Sequence, residues 1–397
     1  MNKGKEGVAL FTVTAMLTLL SLIGSFAYMV IKTDMAISDN YVSATKAYYQ
    51  AEAGIYYVRN WIEVRLKNKT LEFNPGHNAV NIPPPAGYTF DTVTDIIQMK
   101  DTNAYSYVVT GRATSRNGEA KSSVKIVAFR RPLLMTGILG DSKLDFAPQV
   151  SVWSYDSSVV PNPVIADSTG DATIGSNFLV EISPGVTLDG VVNIGAAPDG
   201  TPAVYSGPAD WTLIPYGRME PDPLGIIGGE LASDFAATIA VNNNANAIPP
   251  IIGNVIDMGP HDTLTLPAGD YYLESINKSG AKGTINIDTS GGPVRIFLDG
   301  VAYFPPQTTF VGALPTEFSI LSRSTDEIQF QPQNDFSGFV YAPFANAYIQ
   351  PQMNGYGVIW SQLTTLKPGG EWFVDINLLK QFLSKELEFT CWKEIRM

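Results

Sequence analysis

Residues 8–31 read VALFTVTAMLTLLSLIGSFAYMVI, 24 consecutive positions without a charge. As a helix this run is roughly 36 Å long at 1.5 Å per residue, enough to cross a ~30 Å hydrocarbon core with some tilt. A core helix of a soluble protein carries a polar stripe, whereas the only polar side chains here are Ser and Thr. A cleaved secretory signal has a shorter apolar core followed by a small-x-small site, and no such site follows Ile31. The run therefore predicts a retained membrane helix. Lys3 and Lys5 precede it, so the positive-inside bias places the N-terminus in the cytoplasm and everything after Lys32 outside.

The helical pattern continues beyond the membrane. No Pro occurs between Lys32 and Lys69. Apolar or small residues fall at Ile37, Tyr41, Ala44, Tyr48, Ala51, Ile55, Val58 and Ile62 in steps of four and three. That period is the seam of a helix packed along its length. Asp34, Asp39, Lys46, Glu52, Arg59 and Glu63 lie on the other side. Asn68 and the Asn74-Pro75-Gly76 turn signal end the element. One rod of about 60 residues is thus expected to stand half in lipid and half against a soluble domain.

Composition removes several classes of function. The chain has 397 residues, enough for two or three domains. The net charge of −12 divides unevenly: +5 over residues 1–131 and −17 over residues 132–397. An acidic body repels phosphate backbones, so no nucleic-acid partner is expected. One cysteine, Cys391, precludes an internal disulfide framework or a Cys-cluster metal site, and it is expected to be buried and inert. Two histidines, His77 and His261, leave little room for His-based chemistry.

Three features of the first 131 residues resemble the type IV pilin superfamily, and within it the PilX-type minor pilins. Gly7 followed by Val8, after a short basic leader, is similar to a prepilin peptidase cut site, with Val8 the first mature residue. The opening GVAL at 7–10 resembles the start of that subfamily. The stretch YQAEAGI at 49–55 contains Glu52, Ala53 and Gly54, similar to the signature at the end of its helical spine. The resemblance implies a fibre subunit held in the inner membrane with its body in the periplasm, later at the cell surface. Its implied partners are other minor and major pilins, met through the N-terminal helix. Most pilins carry Glu at the fifth mature position, and here that residue is Thr12. A subunit without this carboxylate suits a priming or tip position, because an unpaired charge in a dry bundle is costly. The plainer reading of Thr12 is a hydroxyl bonded back to its own helix.

The fold expected is α+β. Residues 1–7 are the leader, 8–31 the membrane part of the helix and 32–72 its soluble part. Residues 73–132 form a small antiparallel sheet, 133–379 an acidic β domain and 380–397 a tail. Within the sheet region, 73–87 carries a Pro triplet and reads as an extended linker. Strand patterns follow at 88–97, 105–114 and 120–129, the last two joined at an Asn-Gly hairpin signal around Gly118. Val124, Ile126 and Ala128 alternate on the face turned to the helix. The body has short β-prone runs broken by Gly, Asp and Pro, with a helix near 230–239 and a closing helix over 376–388. Runs at 266–272, 293–300, 339–346 and 355–360 resemble the β domain attached to many PilX-type proteins. In a further family run Trp372-Phe373-Val374 stands where an aromatic-His-Tyr is usual, so no role of that His carries over. Gly-broken alternation fits the rungs of a β-solenoid, with a sandwich as the alternative.

No catalytic constellation, cofactor motif or metal set emerges. Asp141, Asp145, Asp167, Asp171 and Asp189 are near in sequence and read as turn residues, and oxygen-rich loops such as 167–171 offer calcium-type ligands as the alternative. Trp153, Tyr155, Trp211, Tyr341 and Trp360 are read as packing residues, with sugar stacking the other option. The expectation is a non-enzymatic assembly protein. The alternatives are a tethered adhesin with a surface or glycan ligand, a type II secretion tip pseudopilin, and an anchored polysaccharide-degrading β-helix.

Overall fold

A single helix runs from Lys3 to Lys67 in the computed structural model of the chain. The structure describes residues 3–67, 76–98, 104–115, 118–259, 261–278, 283–304 and 306–395. The backbone divides into two units, Met1–Arg131 with Ser384–Met397, and Pro132–Leu383.

The first unit packs the second half of the helix against a five-stranded sheet. Its strands, in spatial order, are Gly76–Ile82, Val93–Gln98, Ala104–Ser115, Gly118–Pro132 and Leu383–Ile395. The first four are joined by antiparallel pairings; Tyr107 stands opposite Ile126 and Val109 opposite Val124. Tyr107, Val109, Val124, Ile126 and Ala128 form one buried cluster with Ala51, Ile55, Val58 and Ile62 of the helix. The hairpin turn at 116–117 and the predicted helix stop at 68–75 lie outside the described residues.

Three expectations need correction here. The segment read as a linker holds the strand Gly76–Ile82, because Ile82 and Val93 are both buried and pair across the sheet; the Pro triplet only ends the strand. The strand expected from residue 88 begins at Val93, since residues 88–92 form the loop that Phe90 pins to the helix. The closing helix is only Ile376–Gln381, and Leu383–Ile395 is a strand beside Gly118–Pro132. A free sheet edge is a template for pairing, and it overrides the helix-friendly Lys, Glu and Leu of this stretch. The large unit is therefore an insertion between two neighbouring strands of the small sheet, and the side chain of Cys391 lies outside what the structure describes.

In the second unit most neighbouring strands pair in parallel. Strand Thr263–Pro267 pairs with Thr284–Asp288, Gly269–Leu273 with Val294–Leu298, and the pattern steps onward to the long strands Asp335–Ile349 and Asn354–Leu366. Chain order is then broken. Ile138–Phe146, the first strand of the unit, lies between Asn354–Leu366 on one side and Ala172–Ser176 with Leu179–Ile182 on the other. Inward columns of Leu264, Ile285, Phe310 and Phe336 build the core. Gly355 leaves the space that the buried Trp372 fills: a Cβ there would lie 2.0 Å from the indole. Trp372 stacks on Phe336 at 6.3 Å. The helix Glu230–Ala240 covers a neighbouring face through Phe235, whose ring lies 5.2 Å from that of Phe297, with Arg323 above it at 4.4 Å.

Candidate functional site

The helix meets two environments. From Phe11 to Ile31 its large apolar side chains point outward on every side, Phe11 being 77% and Phe26 72% exposed. A helix apolar all round needs a non-aqueous surrounding. Three of its hydroxyls are satisfied internally: Thr18, Ser25 and Thr33 donate to the carbonyls of Thr14, Ser21 and Met29, each at 2.8 Å. Thr12 lies exposed within this stretch. Gly7 and Val8 are helical, and their side chains lie outside the described residues.

The second environment begins at Ser43, whose hydroxyl donates to the Thr114 carbonyl at 3.3 Å near the end of the sheet. Ser43, Ala47, Ala51, Gly54, Ile55, Val58 and Ile62 are buried. Of the positions expected on the seam, Ala51, Ile55, Val58 and Ile62 are buried. Ala44 is exposed and Tyr48 only partly covered, while Ile37 is 61% and Tyr41 74% exposed among the described residues. The reason is close backbone approach. A Cβ on Gly111 would lie 2.0 Å from the Ala47 carbonyl oxygen and 2.4 Å from the Ala51 nitrogen. Only small residues fit there, so Ser43 and Ala47 take the seam from the bulkier neighbours that a hydrophobicity pattern selects.

The 49–55 stretch is where loop and sheet dock. Gln50 Oε1 accepts from the Thr89 amide at 3.0 Å. Gly54 lies beneath Phe90 and Val109, whose carbons stand 2.9 and 2.6 Å from where its Cβ would be. The buried Tyr107 hydroxyl donates to the Ile55 carbonyl at 3.3 Å. Glu52 and Ala53 are half-buried beside this contact. Arg112 holds the loop further out, gripping Asp91 and, at 2.8 Å, Glu119. Sequence reasoning missed Gly111 and Arg112, because neither is recognisable without its helix or loop partner.

Three of the five carboxylates singled out in the body are occupied locally. Asp141 accepts from Asn177 Nδ2 at 2.6 Å, Asp145 stands 3.7 Å from Lys143, and Asp167 accepts from the Val164 amide at 2.9 Å. Asp171 and Asp189 stay on the flanks of the strand Ala172–Ser176 and its neighbour. Among the described residues no three His, Cys, Asp or Glu side chains gather as a metal site. Tyr155, Tyr341 and Trp360 are buried, and Trp153 and Trp211 partly so. Tyr341 donates to Asp222 at 2.6 Å and Trp360 to the Pro221 carbonyl at 2.8 Å, fixing the segment that crosses their face.

A buried carboxyl that pattern reading passed over is Asp375. Its Oδ1 accepts from the amides of Ser157 (3.2 Å) and Asn377 (3.0 Å), capping the short helix. Burial raises its pKa, with those hydrogen bonds working against the rise. A carboxyl held above its unfolded value gives a contribution that is full below the unfolded pKa and lost as pH rises through the folded one. Asp375→Asn keeps the cap and removes the titration. The variant is expected to melt higher than the native chain at pH 7, with the gain shrinking towards pH 4; thermal melts at the two pH values check it.

No model of a known protein family matches the chain, and no curated protein matches its sequence. Among solved structures, the competence-associated pilin ComZ from Thermus thermophilus aligns over 89% of this chain and 97% of its own, with 11% identity and a TM-score of 0.34. An ice-binding protein from the Antarctic ascomycete Antarctomyces psychrotrophicus aligns over 60% and 94%, with 11% identity and a TM-score of 0.34. A Shewanella frigidimarina ice-binding domain aligns over 60% and 93%, with 13% identity and a TM-score of 0.29. All three are distant likenesses.

Proposed function

We propose that this chain is a pilin-like structural subunit: anchored in the inner membrane by residues 8–31, processed between Gly7 and Val8, and built into a type IV pilus-like fibre through the same helix. The observation that carries this reading is one continuous helix in two environments. Its first half is apolar and exposed on all sides, and its second half is buried on a small sheet. Helix–helix packing in lipid would bring it to other minor and major pilins. Thr12, in place of the usual carboxylate, supports a priming or tip position. We read the parallel stack of the inserted unit as a β-solenoid, since two packed antiparallel sheets would not give parallel registers between successive rungs. The body is displayed outside the cell and has no catalytic role in this account.

Co-expression with a prepilin peptidase tests the reading. The intact mass is expected to fall by the leader alone, leaving Val8 as the first residue. An unchanged Met1, or a cut beyond Ile31, would falsify it.

A further inference from the structure

Three successive rungs of the inserted unit present a row of tyrosines and amides, with Glu327 as its one carboxylate, that anchoring and assembly do not use. In Ala302–Phe304, Ile328–Phe330 and the end of Asp335–Ile349 the flanking residues are buried, and the residue between them, Tyr303, Gln329 or Tyr348, is partly exposed. Tyr303 is in register with Gln329, and Gln329 with Tyr348. Partners in a parallel register project to the same side. The two rings are therefore held two strand spacings apart, about 9.6 Å, with an amide between them.

The amides are ordered. Gln331 Nε2 donates to Gln329 Oε1 at 3.0 Å, and Gln329 in turn donates to Glu327, the carboxylate on this row. At the adjoining corner, Gln307, Gln333 and Gln352 each follow a Pro and take left-handed φ values of 59°, 63° and 60°. Their side chains form a ladder, Gln307 to Gln333 at 2.7 Å and Gln333 to Gln352 at 3.2 Å. A non-Gly residue in that conformation costs about 1 kcal/mol or more, yet the turn recurs at three consecutive corners. Each amide in the ladder keeps hydrogen-bonding capacity to spare.

We propose that this face binds a neutral polysaccharide laid across the rungs, with pyranose rings on Tyr303 and Tyr348 and hydroxyls on the glutamine amides. A sugar ring has an apolar C–H face that fits a tyrosine ring and an equatorial rim of hydroxyls that amides satisfy in both senses. A β-1,4-linked chain repeats every two sugars over roughly two strand spacings, so it meets both rings in phase. The net −17 of residues 132–397 disfavours an anionic polymer. Amides and aromatic rings on a rigid backing are what such a ligand needs.

The test uses the full chain in detergent micelles with washed cellulose and chitin powders, measured by depletion. Retention on at least one powder is expected, unchanged between about 0.1 and about 1 M salt because no charge pairing is involved. Tyr303→Ala with Tyr348→Ala should weaken it by at least about tenfold, the size of an ordinary aromatic contact. Tyr348→Phe should retain it, and Gln329→Ala should weaken it with an unaltered melting curve. Absence of binding to both powders, indifference to the double substitution, or loss of binding in salt would each overturn the proposal. Leader removal from the double variant is read separately: it should proceed as in the native chain, and an uncut leader would count against the pilin reading instead.

Discussion

Gly111→Ala is expected to undo the docking of the small sheet on the helix. The added carbon would meet two backbone atoms of the helix, the Ala47 carbonyl oxygen and the Ala51 nitrogen, at 2.0 and 2.4 Å. Neither is the end of a flexible side chain, so the strand Ala104–Ser115 must lift. With it goes the burial of Tyr107 and Val109 against Ile55 and Val58. Overpacking that forces a backbone apart costs about 3 kcal/mol or more, a fall of roughly 10 °C in the melting of a unit this size. Gly118→Ala is the control. It meets open space but sits at φ 127°, so only the torsional cost of about 1 kcal/mol applies. Hydrogen exchange should show amides of the 104–115 and 118–132 strands losing protection in Gly111→Ala, while the strands of the inserted unit keep theirs. Equal effects of the two substitutions would mean that the close approach is not what fixes the seam.

The second large effect concerns the membrane. Leu19→Lys with Ile23→Lys places two charges one turn apart near the middle of the apolar run, at about 2.5–3.5 kcal/mol each. Together they exceed what the run can offset, and the protein should leave the membrane fraction. Ile37→Lys with Tyr41→Lys adds the same charges two to three turns beyond Ile31, where both side chains are exposed to water in the isolated chain. That pair should partition as the native chain does. Carbonate extraction and immunoblotting of the fractions distinguish the two. If both pairs stayed in the membrane, the boundary near Ile31 would be wrong.

What could be read from the residues, and what could not, follows from how local each cause is. The apolar run announces itself because lipid acts on every side chain at once. Ala51, Ile55, Val58 and Ile62 were legible because bulk and burial agree there. Ser43 and Ala47 were not, since their burial answers the strand Ala104–Ser115, through Thr114 and Gly111, which meets them only in three dimensions. Gly76–Ile82 was hidden by the prolines after it. Leu383–Ile395 was hidden by helix-compatible composition, although Leu387, Phe389 and Cys391 alternate in strand fashion. The parallel strands escaped detection as a repeat because register partners are unevenly spaced: Thr263 to Thr284, Thr284 to Thr309, Thr309 to Asp335, Asp335 to Asn354. The recurring Pro-Gln pairs at 306–307, 332–333 and 351–352 were the available signal, each marking a corner. For the candidate site, Gly54 was recognised by resemblance, and its physical reason, the space taken by Phe90 and Val109, required the fold.

The account stands on one rod that changes surroundings partway along. Single cysteines, introduced one at a time from 11 to 62 in a Cys391→Ser background and spin-labelled in liposomes, measure this directly through collision with oxygen and with a water-soluble relaxant. The account predicts oxygen-accessible, water-shielded labels without periodicity from 11 to 31, then a helical rhythm with minima at 43, 47, 51, 54, 58 and 62. Water access throughout 16–28, or the same rhythm continuing through that stretch, would contradict it.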